Sequence, residues 1–226
     1  MSRRGESNSQ NLELRRFQFK ERWSSLVNRS KANLPRFRSA IAYRLTEPAA
    51  RVLARVGLTP VVLTWFGFVL ALGAAALIIT AHPLAAGFVV LVAGFFDILD
   101  GALARRIKKV TPFGGVLDST LDRLSEAAVL LAILLAFGGS ALVVLLVFLA
   151  LLGSLLVSYV RARAEGAGLE CQVGLFTRAE RVVVLALGLL LSNIDCALVI
   201  ALAIVAVFSF FTFGQRLVYV WRQTRK

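Results

Sequence analysis

Histidine and cysteine are almost missing from this 226-residue chain: there is one His and there are two Cys. A zinc centre of the Cys/His type is excluded, because Cys171 and Cys196 show no ligand spacing with His82, and a disulfide-stapled secreted module is excluded with it. Charge is also scarce. Asp, Glu, Lys and Arg make up 17% of the residues, against about 25% in an ordinary soluble domain. Hydrophobic residues fill 58% of the chain and the mean hydropathy is +0.76, which rules out a water-soluble globule. No signal-peptide pattern is present, since the first long apolar run begins only near Leu58. No internal repeat and no low-complexity tract interrupts the apolar bias.

Acidic residues are outnumbered two to one, 13 against 26 Lys and Arg, for a net charge of +13. Such a charge first suggests nucleic acid, but its placement says otherwise. Before Gly57 there are 13 Lys/Arg and 4 acids (Glu6, Glu13, Glu21 and Glu47); the remaining bases fall in short clusters between apolar runs. A basic arm followed by apolar runs and basic loops is what orientation toward an anionic cytoplasmic leaflet requires. Nucleic acid is therefore not an expected partner, and a membrane is.

Residues 1–33 form a basic arm, amphipathic or disordered, with Leu12, Phe19, Trp23, Leu26 and Val27 at helical spacing. Residues 34–57 read as an amphipathic juxtamembrane helix built on Phe37, Ile41 and Leu45. Residues 58–226 form the membrane domain. Thr59-Pro60 and Thr111-Pro112 each pair an N-cap with proline at the first helical position, and Thr177 with Glu180 is a capping box. Six spans follow, about 58–80, 83–104, 111–137, 141–160, 177–191 and 196–220, most near the ~20 residues a hydrocarbon core needs. The expected class is an all-α integral membrane protein with six transmembrane helices preceded by the juxtamembrane helix.

Loop charges orient it. Arg105, Arg106, Lys108 and Lys109 follow span two, Arg161, Arg163 and Arg178 follow span four, and Arg222, Arg225 and Lys226 follow span six. The opposite turns, near His82, Ser140 and Asn193, carry no Lys or Arg. The positive-inside rule places both termini in the cytoplasm. His82, Trp23, Trp65 and Trp221 read as interface or packing residues, and Gly73, Gly153 and Gly188 as close helix contacts.

The chemistry lies in Asp97, Asp100, Asp118 and Asp122. An aspartate at mid-membrane costs about 2.5–3.5 kcal/mol on insertion scales, so something must compensate four of them. At 100° per residue Asp97, Asp100, Gly101 and Ala104 share one face of span two, and Gly114, Asp118 and Asp122 one stripe of span three. The short connecting loop makes spans two and three antiparallel neighbours, so four carboxylates can converge near the cytoplasmic surface. Oxygen-only ligands suit Mg²⁺ or Mn²⁺ rather than zinc. Gly101 and Gly114 remove side chains where a phosphate needs to approach. Buried ion pairs with Arg105, Arg106 and Arg123 would account for the acids but not for the glycines. An ion-coupled transporter would more naturally string its carboxylates across the bilayer.

The segment from Asp97 to Asp122 resembles the signature of the CDP-alcohol phosphotransferase family, D-x2-D-G-x2-A-R-x8-G-x3-D-x3-D, with every fixed position present. The resemblance implies two Mg²⁺ or Mn²⁺ ions held by Asp97, Asp100, Asp118 and Asp122. It makes Asp122 the catalytic base and lets Gly101, Arg105 and Thr111 contact a CDP-linked lipid donor. Gly114, Thr64 and Val61 join the donor side, Val61 standing where relatives usually place Asp or Asn. Beyond the signature, Thr46 to Arg51, Arg55 to Thr64, Ser158 to Glu165, Arg178 to Arg181 and Gln215-Arg216 resemble the phosphatidylinositol phosphate synthase branch. That branch couples CDP-diacylglycerol to inositol phosphate. Its acceptor residues fall on Ser158, Arg161, Arg181 and Arg216, while Arg163, Arg178, Arg222 and Arg225 read as membrane anchors. A phosphatidylglycerophosphate synthase using glycerol phosphate is the nearest alternative, and the resemblance implies a homodimer.

Overall fold

In the computed structural model, residues 46–55, 57–107 and 111–225 are described, and among them there are helices and no strands. The basic arm 1–33, most of the expected juxtamembrane segment, Lys108 and Lys109 lie outside the described residues. Helix α1 covers 46–55. It is followed by α2 (Pro60–Ile79), α3 (Pro83–Arg106), α4 (Pro112–Phe137), α5 (Ala141–Gly166), α6 (Arg178–Leu190) and α7 (Ala197–Thr224).

The helix starts follow the cap chemistry. Thr59 and Thr111 are the N-caps of α2 and α4 with proline in the first turn, and the Thr111 side chain accepts from the Gly114 N–H at 3.0 Å. Ser140 caps α5. Glu180 accepts from the Thr177 N–H at 2.7 Å, closing the capping box that opens α6. Helices α5 and α7 run beyond their expected ends at Val160 and Val220, because hydropathy stops at the first charges whereas the backbone does not. In α5 the Arg161 and Glu165 side chains pair at 2.8 Å across one turn. The helix ends at Gly166, and beyond its cap Gly168 (φ +74°) turns the chain so that the Leu169 N–H reaches back to the Ala164 carbonyl at 2.9 Å.

Helices α2, α3, α5 and α7 are long and apolar enough to cross a membrane. Helix α4 carries Asp118, Asp122, Arg123 and Glu126, and α6 has 13 residues, about 20 Å at 1.5 Å per residue. Large apolar side chains face outward along the bundle, among them Trp65, Val69, Phe88, Leu135, Phe148, Leu187 and Val207. That exterior is a lipid-facing surface, so this is a multi-pass membrane protein.

Helix packing follows a ring. Extended contacts join α2 to α3, α3 to α6, α6 to α7, α7 to α5, α5 to α4 and α4 back to α2. This corrects the sequence expectation that spans two and three, here α3 and α4, are packed neighbours. They make no extended contact with each other, and both lean on α2 instead. Close packing of α3 on α4 would press their carboxylates together without room for a cation, whereas separation leaves a cleft between them.

Glycines set the ring's closest approaches. A Cβ at Gly153 would lie 2.9 Å from Ser209 Cβ, and one at Gly188 would lie 2.5 Å from Ala201 Cβ, so both are close helix contacts as expected. Gly73 is not: it is exposed with nothing within 4 Å of a Cβ. Gly87 and Gly94, two turns apart on α3, face α6 instead; a Cβ there would come within 2.8 Å of Leu190 and 2.9 Å of Val182. The main core gathers Ile78, Val90, Leu130, Ile133, Leu189 and Leu202 from the helices of the ring. A second cluster of Ala50, Leu63, Leu99 and Leu103 seats α1 on α2 and α3. There Glu47 pairs with Arg106 and, at 3.4 Å, with Arg51. Cys171 is buried, Cys196 is exposed, and both are free thiols.

Candidate active site

A cleft opens between α2, α3, α4 and α6. Its polar end holds Thr64, Asp97, Asp100, Asp122, Glu126 and Arg178; its inner end is apolar, with Ala71, Val90, Val129 and Leu185. The two periodicities read from the sequence meet here. One carboxylate oxygen from each of Asp97, Asp118 and Asp122 lies within 4.8 Å of the others. Asp100 stands outside that group and is buried, its Oδ2 accepting from the Thr64 hydroxyl at 2.7 Å.

This cluster fits a hard divalent cation. The donors are all carboxylate oxygens. Asp118 Oδ1 is buried with no hydrogen-bond partner, although a buried acceptor is ordinarily satisfied. A cation already stands among these acids: Arg178 Nη1 bridges Asp97 Oδ2 and Asp122 Oδ1, the latter at 2.8 Å. Arg123 approaches Asp122 Oδ2 at 3.8 Å.

Arg178 is the principal residue that the sequence reading misplaced. Read as a membrane anchor, it instead lines the cleft with its side chain 23% exposed. Its position follows from the loop before α6. The Phe176 N–H donates to Thr212 Oγ1 at 3.2 Å, the Leu175 N–H to Gln215 Oε1 at 3.3 Å, and Arg216 Nε to the Val173 carbonyl at 2.8 Å. Gly174 (φ +150°) permits this approach, since a Cβ there would lie 2.9 Å from Thr212 Cγ2. Side chains of α7 thus fasten the loop, and the capping box starts α6 with Arg178 as its first residue. The box is legible in the sequence, but the direction in which Arg178 points depends on the nonlocal contact of the loop with α7.

One turn deeper lies a second pair. Arg181, 2% exposed, donates through Nε to Glu126 Oε1 at 2.7 Å and through Nη2 to Oε2 at 3.1 Å. The Ser154 hydroxyl donates to the same Oε1 at 2.9 Å. Glu126 follows Asp122 by one turn, and Arg181 follows Arg178 by one. Helices α4 and α6, which share no extended packing, therefore face each other across the cleft through two successive arginine–carboxylate contacts. Glu126 drew no role from the sequence, although its i+4 spacing from Asp122 was the available signal.

Of the expected donor residues, Thr64 alone lines the cleft. Val61 is exposed on α2. Gly101 leaves space for its own helix neighbour, a Cβ there lying 3.4 Å from Arg105 Nη1. Thr111 and Gly114 are engaged with each other in the α4 cap, where a Gly114 Cβ would stand 2.9 Å from Thr111 Oγ1. Of the expected acceptor residues, Arg161 is exposed and Ser158 half-buried on α5. Arg216 is 5% exposed and also donates to the Val157 carbonyl. Arg216 sits on α7, Arg181 on α6 and Arg161 on α5.

Comparison with known proteins agrees with the signature. A model of the CDP-alcohol phosphatidyltransferase family matches residues 57–213. The archaetidylinositol phosphate synthase of Methanothermobacter thermautotrophicus is 36% identical over 207 residues, which cover 89% of this chain and 97% of that one. The crystal structure of Mycobacterium tuberculosis phosphatidylinositol phosphate synthase with CDP-DAG bound aligns with a TM-score of 0.70 at 38% identity, covering 79% of this chain and 94% of that chain. The same enzyme in complex with manganese and citrate aligns with a TM-score of 0.70 at 37% identity, covering 78% and 88%. With a matched segment spanning more than half its length, this chain belongs to the CDP-alcohol phosphatidyltransferase family.

Proposed function

We propose that this protein transfers a phosphatidyl group from CDP-diacylglycerol to inositol phosphate, yielding phosphatidylinositol phosphate and CMP. The observation that carries the reading is the meeting of Asp97, Asp118 and Asp122 from two separated helices, with Asp97 and Asp122 lining the polar end of one cleft. The names of the relatives agree on inositol phosphate and divide between an archaetidyl and a phosphatidyl group. In the reaction an inositol phosphate hydroxyl attacks the lipid-bearing phosphorus, a new O–P bond forms, the anhydride bond breaks and CMP departs. Asp97, Asp100, Asp118 and Asp122 hold two Mg²⁺ or Mn²⁺ ions, which when bound neutralise charge on the attacking and leaving oxygens. Asp122 takes the hydroxyl proton. Thr64 fixes the Asp100 carboxylate through its 2.7 Å hydrogen bond. Val61, Gly101, Arg105, Thr111 and Gly114 form the donor side.

Arg161, Arg181 and Arg216, with Ser158, supply a cationic wall for the acceptor's phosphate. Arg161 is the exposed member and, among the described residues, pairs with Glu165 of its own helix. Arg216, 5% exposed, adds positive field from a fixed position, whereas the charge of Arg181 is largely offset by Glu126. Six spans cross the cytoplasmic membrane, with α4 and α6 completing the set, both termini and the carboxylates at the cytoplasmic face, and the enzyme acts as a homodimer. The test supplies purified protein with CDP-diacylglycerol, Mg²⁺ and each candidate acceptor in turn and measures CMP release. Inositol phosphate is expected to win over free inositol and glycerol phosphate. Preference for glycerol phosphate in competition would move the protein to the phosphatidylglycerophosphate branch.

A further inference from the structure

Three or four carboxylates brought to one point repel one another, and something must hold α3, α4 and α6 around them before any metal arrives. Arg178 is placed to do this. Its Nη1 contacts Asp97 from α3 and Asp122 from α4, while α4 shares no extended packing with either α3 or α6. The tie is incomplete. Arg178 Nε is buried without an acceptor, and Asp118 Oδ1 in the same cluster is buried without a donor. Even with Arg123 at 3.8 Å from Asp122 Oδ2, Arg178 leaves the cluster with excess negative charge and at least two unsatisfied polar atoms.

The neighbouring pair shows the contrast. Arg181 is 2% exposed and gives two good hydrogen bonds to Glu126, whose oxygens also receive Ser154. Arg181 Nη1 is buried without an acceptor too, so what distinguishes the pair is its burial and its two-point bond to one carboxylate rather than full satisfaction. Arg178 is 23% exposed at the cleft and begins its helix, so its side chain can move without disturbing the core layers of α6. One turn separates a fixed arginine from an exchangeable one.

We infer that Arg178 is the intrinsic counter-cation of the aspartate cluster, bridging Asp97 and Asp122 in the metal-free protein and giving up those contacts when a divalent ion binds. The inference rests on the reading of the aspartates as divalent-ion ligands. Arg178 thereby has two opposed effects: it stabilises the metal-free bundle and it weakens metal affinity by competing for the same oxygens.

The test uses the full chain in detergent and reads binding rather than turnover. Mn²⁺ is titrated into wild type, Arg178→Gln and Arg178→Lys, free Mn²⁺ is followed by its electron paramagnetic resonance signal, and melting is recorded with and without Mn²⁺. Loss of charge-assisted competition in Arg178→Gln is expected to tighten Mn²⁺ binding by about tenfold or more. Its metal-free melting temperature should fall, while saturating Mn²⁺ restores most of the difference. Arg178→Lys keeps the charge but loses the planar fork that spans two carboxylates, so its affinity should fall between the two; it also serves if the Gln variant fails to fold. Mn²⁺ affinity equal to or weaker than wild type in both folded variants would overturn the inference while leaving the metal reading intact. Absence of Mn²⁺ binding by the wild-type protein would overturn both.

Discussion

Neutralising Glu126 without changing its volume tests whether the deeper arginine pair is an obligatory part of the bundle. In Glu126→Gln the Arg181 guanidinium, 2% exposed, keeps its charge but loses a partner that accepted two of its N–H groups at 2.7 and 3.1 Å. Breaking a buried pair from one side costs about 3–5 kcal/mol, since the remaining charge is left uncompensated. Arg181→Met leaves the opposite charge stranded, with Ser154 as its remaining donor, and falls in the same range. If the pair acts as a unit, the double variant does not lose the sum, about 6–10 kcal/mol; with both charges gone, it is no less stable than either single variant. The assay is reversible unfolding in mixed micelles, followed by helicity against the mole fraction of denaturing detergent. Single losses under about 1 kcal/mol, or an additive double variant, would refute the reasoning.

Three further outcomes follow from particular residues. Gly188→Ala should destabilise by about 1–3 kcal/mol, because the new Cβ would stand 2.5 Å from Ala201 Cβ, whereas Gly73→Ala, with nothing within 4 Å, should melt no lower than wild type. Arg161→Ala should raise the acceptor Michaelis constant about 10- to 150-fold by loss of charge-assisted hydrogen bonds, while Arg163→Ala, some 200° around the same helix, should be nearly silent in the same kinetics. An engineered cysteine at Ser140 should react with an impermeant thiol reagent from outside the cell only, and labelling from the cytoplasmic side would invert the topology.

Much of this architecture was legible because membrane burial and cap chemistry are local. Apolar length located the helices, and Thr59-Pro60, Thr111-Pro112 and the Thr177–Glu180 box located three starts to within a residue. The aspartate periodicities were legible too, since residues three and four apart share a helix face. What escaped was nonlocal. A short loop between α3 and α4 implies adjacency, but the ring inserts α2 beside them and the cleft between them. Arginines at helix ends satisfy the positive-inside rule wherever their side chains point, so that rule could not separate the exposed Arg163 from Arg178, which turns into the carboxylates. Likewise Gly73 and Gly87 are alike in sequence, and only the position of α6 makes the second one indispensable.

Divalent-dependent CMP release is the central claim, and Asp122 is its most exposed point. Purified wild-type protein and Asp122→Asn are each given CDP-diacylglycerol and inositol phosphate, with Mg²⁺ and with chelator, and CMP is quantified over time. Wild type should release CMP only with the divalent ion, and the folded Asp122→Asn protein should release none under either condition. Release that persists in chelator, or a folded Asp122→Asn protein that works at the wild-type rate, would contradict the assignment of this cluster as a metal-dependent transfer site.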